Sequence, residues 1–221
     1  MTRHKVPEFT TFASLLRMAT KYGFSDVREA LVEDLNGAYP TKWDCFEAAR
    51  VLGEAVFGSP KPHPNVVLNL FLEQNIKFAL PFAAYRATLG GLPALVSDTP
   101  DTVLPRLPLA SIIHGMGAMK QVTMLAAHSL VYLNDLGVCP DRTCILNVHV
   151  NPAGGRREAL NKLFNVILSG SEGDVLSTPS LRPLACASCS TLLERVHLGF
   201  RKDFVWEGLP GLLGWGSWES V

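Results

Sequence analysis

The sequence has no net charge, because twenty lysine and arginine residues balance twenty aspartate and glutamate residues. It also lacks any block of five like charges. A basic patch is the usual footprint of a protein that binds nucleic acid or anionic lipid. The charge pattern therefore argues against nucleic acid and the membrane surface as partners.

Long hydrophobic runs are missing as well. The longest uncharged apolar stretch, Gln121 to Asn134, has fourteen residues, whereas about 20 are needed to cross a bilayer. The N-terminus has Pro7 and Glu8 where a secretory signal would have its apolar centre. We expect an intracellular protein, and the sequence does not choose between cytoplasm and nucleus.

A disulfide framework is not expected either, because the five cysteines are an odd number. Hydrophobic residues make up 48% of the 221 positions and charged residues 18%, which is enough apolar material for a core without covalent staples. We predict reduced thiols and a single helical domain over residues 1–221, divided into helices in 1–58 and a helical body with an aromatic tail in 59–221.

Apolar residues recur at helical spacing along most of the chain. This pattern predicts a mainly α protein, an irregular bundle of about seven or eight helices. It leaves room for one short strand, at 143–150, or a hairpin. The first helix is predicted at 11–22 and the second after a cap at Ser25 or Asp26. Their buried stripes are predicted at Phe12, Leu15, Leu16 and Ala19, and at Val27, Ala30, Leu31 and Leu35. Later helices are predicted from Thr41, from Pro64, at 81–89, at 110–136 with Met124 facing inward, at 159–167 and at 185–207, and loops at 92–109 and 169–183.

Short motifs at both ends of the chain carry a family resemblance. The first end has Leu16–Tyr22, Val27–Leu31 and Tyr39–Thr41, and the other has Arg201–Pro210, Gly214 and Trp218-Glu219. In this order the motifs resemble the helical region that follows the core of BTB/POZ-domain proteins from mushroom-type fungi. The resemblance implies a helical protein–protein interaction or scaffold module. Only about ten residues precede the first matched helix, so BTB-type dimerisation, which belongs to the core, is not implied.

Four cysteines form the sharpest chemical pattern. Cys186 and Cys189 are separated by two residues, and Cys139 and Cys144 make a second, looser pair. A two-residue gap lets two thiolates converge on one metal ion, and two such pairs can complete a tetrahedral zinc site. His197 could replace one cysteine as a ligand. The alternatives are ordinary reduced thiols and a thioredoxin-like redox pair, which would need a strand-to-helix setting. Cys45 is interpreted as a packing residue of its helix.

The C-terminal tail concentrates aromatic area at Trp206, Trp215 and Trp218. Such a cluster either folds back onto the helical core or forms a patch that binds a protein partner. No motif for a nucleophile, a phosphate cradle or a pair of catalytic carboxylates stands out beside these patterns. We therefore expect a non-catalytic interaction module, with a zinc-stabilised binding protein as the alternative and an enzyme with an unfamiliar site as the third hypothesis.

Overall fold

The computed structural model describes residues 8–52, 57, 61–96, 99–132, 139, 144 and 185–221. In these ranges the chain forms nine α-helices and no strand, which confirms the mainly α prediction. The helices are α1 (Phe9–Tyr22), α2 (Ser25–Leu35), α3 (Trp43–Leu52), α4 (Pro64–Glu73), α5 (Leu80–Thr88), α6 (Gly91–Leu95), α7 (Arg106–Tyr132), α8 (Ala187–Phe200) and α9 (Leu209–Leu212). A 3₁₀ turn spans Lys77–Ala79, and a π-helical segment, Arg201–Trp206, continues α8. The predicted helix at 159–167 and loop at 169–183 lie outside the described residues, and so does the predicted strand at 143–150 except for Cys144.

The chain divides into two compact units. The first contains Met1–Gly115 and Leu209–Val221, and the second contains Met116–Gly208. The boundary falls inside α7. The prediction of one domain over 1–221 stays a prediction. No helix among the described residues has the length and apolar character needed to cross a membrane.

Helix α1 ends as its sequence predicts. Gly23 adopts a left-handed φ of 69°, and its N–H bonds back to the Ala19 and Thr20 carbonyls. The N–H of Phe24 also reaches the Ala19 oxygen at 2.9 Å, so the turn satisfies carbonyls that the helix itself leaves open. Glycine suits this position because a left-handed backbone costs it little.

The buried stripes of α1 and α2 are narrower than predicted. Phe12, Leu16 and Ala19 are buried on α1, but Leu15 is 45% exposed. On α2 only Leu35 is buried, and Val27 is 48% exposed. The physical reason is that α2 packs mainly beside α1, so the side of α2 that carries Val27 faces solvent. Met124 on α7 likewise is 51% exposed rather than inward-facing.

The core of the first unit is an aromatic cluster around α4 and α5. Tyr39 packs edge-on against Phe71 with ring centroids 4.8 Å apart, and Phe46 packs edge-on against Phe82 at 5.6 Å. Edge-to-face pairs contribute beyond their buried area. Pro64 is the first residue of α4, and the N-cap residue His63 accepts a hydrogen bond at Nδ1 from the Asn65 N–H at 3.2 Å. Trp43 beside Phe46 and Tyr85 beside Phe82 extend the cluster.

The predicted loop at 92–109 is partly helical. Helix α6 occupies Gly91–Leu95 and α7 already begins at Arg106. The loop is predicted because 92–109 contains four prolines, but two of them, Pro93 and Pro108, lie in the first turns of these helices. A first-turn N–H has no partner within the helix, so proline is tolerated there.

Replacement of glycine by alanine should have opposite effects on stability at two positions of α7. A Cβ on Gly115 would lie 2.5 Å from the Leu212 carbonyl oxygen and 2.7 Å from Leu213 Cδ2, whereas a Cβ on Gly117 meets nothing within 4 Å. Gly117→Ala should stabilise the protein by about 0.5–1 kcal/mol through helix propensity. Gly115→Ala should destabilise it by about 1–3 kcal/mol, because backbone must shift. Urea melts of the two variants measure the sign of each change in the free energy of unfolding. A stabilising Gly115→Ala would contradict the close approach of Leu212 and Leu213 to Gly115.

Candidate metal centre

Four cysteine side chains of the second unit meet at one point. The Sγ atoms of Cys139, Cys144, Cys186 and Cys189 all lie within 4.8 Å of one another. Cys139 Sγ and Cys186 Sγ are 3.6 Å apart. A tetrahedral ion with metal–sulfur bonds of about 2.3 Å places its sulfur atoms about 3.8 Å apart. The cluster therefore has the size of a four-thiolate metal site and could hold a metal ion, as the spacing of the two pairs predicts.

The start of α8 positions two of these thiols. Cys186 is the N-cap residue of the helix, and Cys189 lies in its first turn. The positive end of a helix dipole and its unpaired N–H groups favour thiolate over thiol. The backbone N–H of Cys186 also donates to Cys144 Sγ at 3.4 Å. This bond ties the helix start to the second pair, which lies 42 residues earlier in the chain.

The thiols differ in their surroundings. Cys139 and Cys144 are buried, and Cys186 and Cys189 are half-buried. The nearby backbone N–H of Cys189 lowers the pKa of Cys186, and contacts of the Cys186 thiol with the other three thiols lower this pKa further. The Cys186 side chain does not form an N-cap hydrogen bond. Burial, followed by the three neighbouring thiols, raises the pKa of Cys189. Four thiolates in this space repel one another, so a cation between them is what would keep all four deprotonated.

His197, the predicted substitute ligand, does not belong to the cluster. It lies on α8 at 2% exposure, and burial, with the charge of nearby Arg201, lowers the pKa of His197 to about 4. Among the described residues its Nδ1 has no hydrogen-bond partner. The site has four cysteines without it, and this number also exceeds the two thiols that a thioredoxin-like redox pair uses.

A buried polar row on α8 escaped the sequence analysis. Ser190, His197 and Arg201 are 2%, 2% and 1% exposed, and the Ser190 hydroxyl donates to Glu194 Oε1 at 3.0 Å. With Glu194 included, the positions recur at intervals of four, three and four residues, the helical period. A search for polar residues at that period would have found the row, whereas a search for apolar stripes could not. The row ends at Arg201 in the π-helical segment. Such turns are rare in proteins and are often found at functional sites.

The three tryptophans predicted to bind a partner, Trp206, Trp215 and Trp218, differ in how far they are buried. Trp206 is fully buried in the second unit. Trp215 and Trp218 are half-buried in the first unit. Partner binding at these two stays a prediction. Cys45, interpreted as a packing residue, is exposed on α3, although Trp43 and Phe46 beside it are buried.

A cavity of about 250 Å³ opens in the first unit. It is lined by Tyr39, Phe57, Lys61, Pro62, Pro64, Val67, Ala83 and Arg86. The lining contains two cations and one phenol, and no cysteine, histidine or carboxylate. Within the part of the chain that the structure describes, this cavity therefore offers no nucleophile paired with a histidine or carboxylate base.

Comparison of the chain with protein-family models, with curated proteins and with solved structures finds no match. The cysteine cluster must therefore be interpreted from its own geometry.

Proposed function

We propose that this chain is a zinc-stabilised, non-catalytic binding protein whose metal is held by Cys139, Cys144, Cys186 and Cys189. The observation that carries the proposal is the convergence of four free thiols within 4.8 Å from two segments that are far apart in sequence. Chance rarely brings four of the five cysteines of a chain to one point. Thiolate ligands in tetrahedral arrangement suit Zn²⁺ above other common divalent ions.

The role of such a site is structural rather than catalytic. Catalytic zinc keeps one position open for water or substrate, whereas four protein sulfurs close the coordination sphere. Binding of zinc to a closed site adds its free energy to folding, because the ligands are brought together only in the folded chain. In this protein the metal would tie the start of α8 to the segment that carries Cys139 and Cys144.

The binding role is proposed from the exposed surface of the first unit. Leu15, Met18 and Tyr22 follow one another at helical spacing on α1 and are 45–59% exposed. Phe24 and Val27, at the start of α2, add further exposed apolar area. Contiguous apolar patches on a folded protein usually mark interaction surfaces. The resemblance to the helical region of fungal BTB/POZ proteins points to the same kind of role, and we keep that relationship as a proposal.

Metal analysis of the purified chain, residues 1–221, tests the proposal. We expect one zinc ion per chain, a colourless protein, and a fall in melting temperature when a strong chelator removes the metal. Re-addition of zinc should restore the melt, which distinguishes metal loss from damage by the chelator. Metal-free protein whose melting temperature the chelator does not change would contradict the proposal. Visible absorption from bound iron would show that the site is an iron–thiolate centre and not a zinc site.

A further inference from the structure

The cavity of the first unit has two aromatic walls that are supported from behind. Tyr39 lines the cavity, is buried, and packs edge-on against Phe71 with ring centroids 4.8 Å apart. Phe57 is also a buried lining residue, and it packs edge-on against Phe9 and Phe12 at 5.0 and 5.3 Å. Rings that are held by other rings cannot easily turn into the cavity. The walls are therefore in place before a ligand arrives, which is typical of small-molecule sites.

The rest of the apolar lining is equally constrained. Val67 on α4 and Ala83 on α5 are buried, and Pro62 and Pro64 line the cavity where α4 begins. The proline ring fixes the backbone φ angle, and neither proline nor alanine has side-chain rotamers to lose. A ligand in this cavity therefore meets a surface that needs little ordering.

The charged side chains that line the cavity are both cationic. Lys61 is exposed and Arg86 is half-buried, and no carboxylate is among the lining residues that the structure describes. The guanidinium group of arginine can bind both oxygens of one carboxylate, and lysine adds a point charge. Apolar walls together with two cations favour a ligand that has an apolar body and one negative group.

The start of α4 adds positive potential to the cavity but no spare hydrogen-bond donor. Pro64, the first residue of the helix, has no N–H. The Asn65 N–H bonds to His63 Nδ1 at 3.2 Å, and the Val66 N–H bonds to the His63 carbonyl at 2.9 Å. The helix dipole therefore favours an anion here, while the hydrogen bonds to that anion must come from side chains.

The volume of the cavity limits the size of the ligand. An engineered cavity of about 150 Å³ in another protein holds benzene, so a cavity of about 250 Å³ has room for about ten non-hydrogen atoms by the same proportion. A nucleotide or a long-chain fatty acid is too large to be enclosed. One aromatic ring with a short acidic side chain fills the space, and its ring can pack edge-on or offset against the aromatic walls.

We propose that this cavity binds a small aromatic carboxylate. The ring packs against Tyr39, Phe57 and Val67. The carboxylate is held by Arg86 and Lys61. The described lining offers no nucleophile with a base, so the ligand is bound and not converted. The inference goes beyond the proposed function and does not depend on the metal, since the cavity belongs to the first unit and the cysteine cluster to the second.

Isothermal titration calorimetry of residues 1–221 with 3-phenylpropionate tests the site. We expect a dissociation constant of about 0.1–1 mM, a range within reach of a ligand of about ten non-hydrogen atoms. The neutral analogue 3-phenylpropionamide has nearly the same shape and should bind at least about fivefold more weakly, because it has no charge to pair with the two cations. Equal affinities for the acid and the amide would overturn the assignment of the ligand class. No saturable binding of the acid up to about 10 mM would overturn the site itself.

A matched pair of variants places the binding at the cavity. Lys61→Met and Lys77→Met each remove one exposed lysine of the first unit, but of the two only Lys61 lines the cavity. Lys61→Met should weaken binding of the acid about threefold and leave the amide unchanged, whereas Lys77→Met should change neither. Arg86→Met should weaken binding of the acid at least about tenfold, because a half-buried charged hydrogen bond is stronger than an exposed ion pair.

The variants also define what would contradict the location. Equal weakening by Lys61→Met and Lys77→Met would mean that the acid binds through general surface charge, and unchanged binding in both Lys61→Met and Arg86→Met would place it elsewhere. Either result overturns the inference. A melt of each variant checks that it is folded. If Arg86→Met does not fold, the two lysine variants and the comparison of acid with amide on the wild-type chain still decide.

Discussion

Cys144→Ser should lower the melting temperature of this protein by roughly 8–16 °C. A ligand present at 1,000 times its dissociation constant stabilises a folded chain by about 4 kcal/mol, and each kcal/mol shifts the melt by about 2–4 °C at this chain length. Serine keeps the size of the side chain but is a poor zinc ligand. Cys144 is buried and accepts the Cys186 N–H, so the change removes both a ligand and an anchor of the α8 start. Thermal melts followed by circular dichroism, with zinc measured on the same samples, give the result.

Cys45→Ser is the control for that experiment. Cys45 is exposed on α3 and lies outside the cluster, so the same chemical change there should move the free energy of unfolding by no more than about 0.5 kcal/mol. Its zinc content should equal that of the wild-type chain. If Cys144→Ser also melts like the wild type, the four cysteines do not form a structural metal site.

Asn65→Ala should destabilise the first unit by about 3 kcal/mol. The Asn65 side chain is fully buried on α4, and its Nδ2 donates to the carbonyls of Ala94, Leu95 and Thr102 at 3.0, 3.3 and 3.0 Å. The amide has two N–H hydrogens, which the three carbonyls share. Each full hydrogen bond contributes about 1 kcal/mol net, and a buried carbonyl that loses its donor costs roughly 1–3 kcal/mol more. The side chain thus connects α4 to the segment from Ala94 to Thr102 through hydrogen bonds. A urea melt measures the loss.

Asn69→Ala is the matched control one turn further along α4. Its Nδ2 also donates to two backbone carbonyls, those of Asp101 and Val103, at 3.2 and 3.0 Å, but these bonds are exposed to solvent. Water can replace them, so we expect a loss of only about 0.5–1 kcal/mol. Equal losses in the two variants would mean that burial of Asn65 does not matter to the hydrogen bonds that it makes.

The ends of several helices were predictable because their signals are local. Gly23 ends α1 and Pro64 begins α4 as the sequence predicts, since a left-handed turn and a first-turn proline depend on the backbone of a few neighbouring residues. The prolines of 92–109 misled the prediction for a related reason. Proline is as compatible with a first helical turn as with a loop, and the sequence does not tell the two apart.

The buried side of a helix was less predictable. Helical spacing places Leu15 and Val27 on the apolar faces of α1 and α2, yet both are about half exposed. Periodicity reports which residues share a face, whereas burial depends on whether another element covers that face. Asn65 shows the converse, because no apolar pattern predicts a fully buried amide whose partners lie 29 to 37 residues away.

The sequence by itself determined that this protein is helical, where several helices begin and end, and that two cysteine pairs have spacings suited to a metal. Those properties follow from side chains and backbone within a few residues of one another. Only the tertiary structure decided that the two pairs meet, that Gly115 has no room for a methyl group and that Trp206 is enclosed. Each of these depends on a distance between segments far apart in the chain, and such distances are set by how the helices pack.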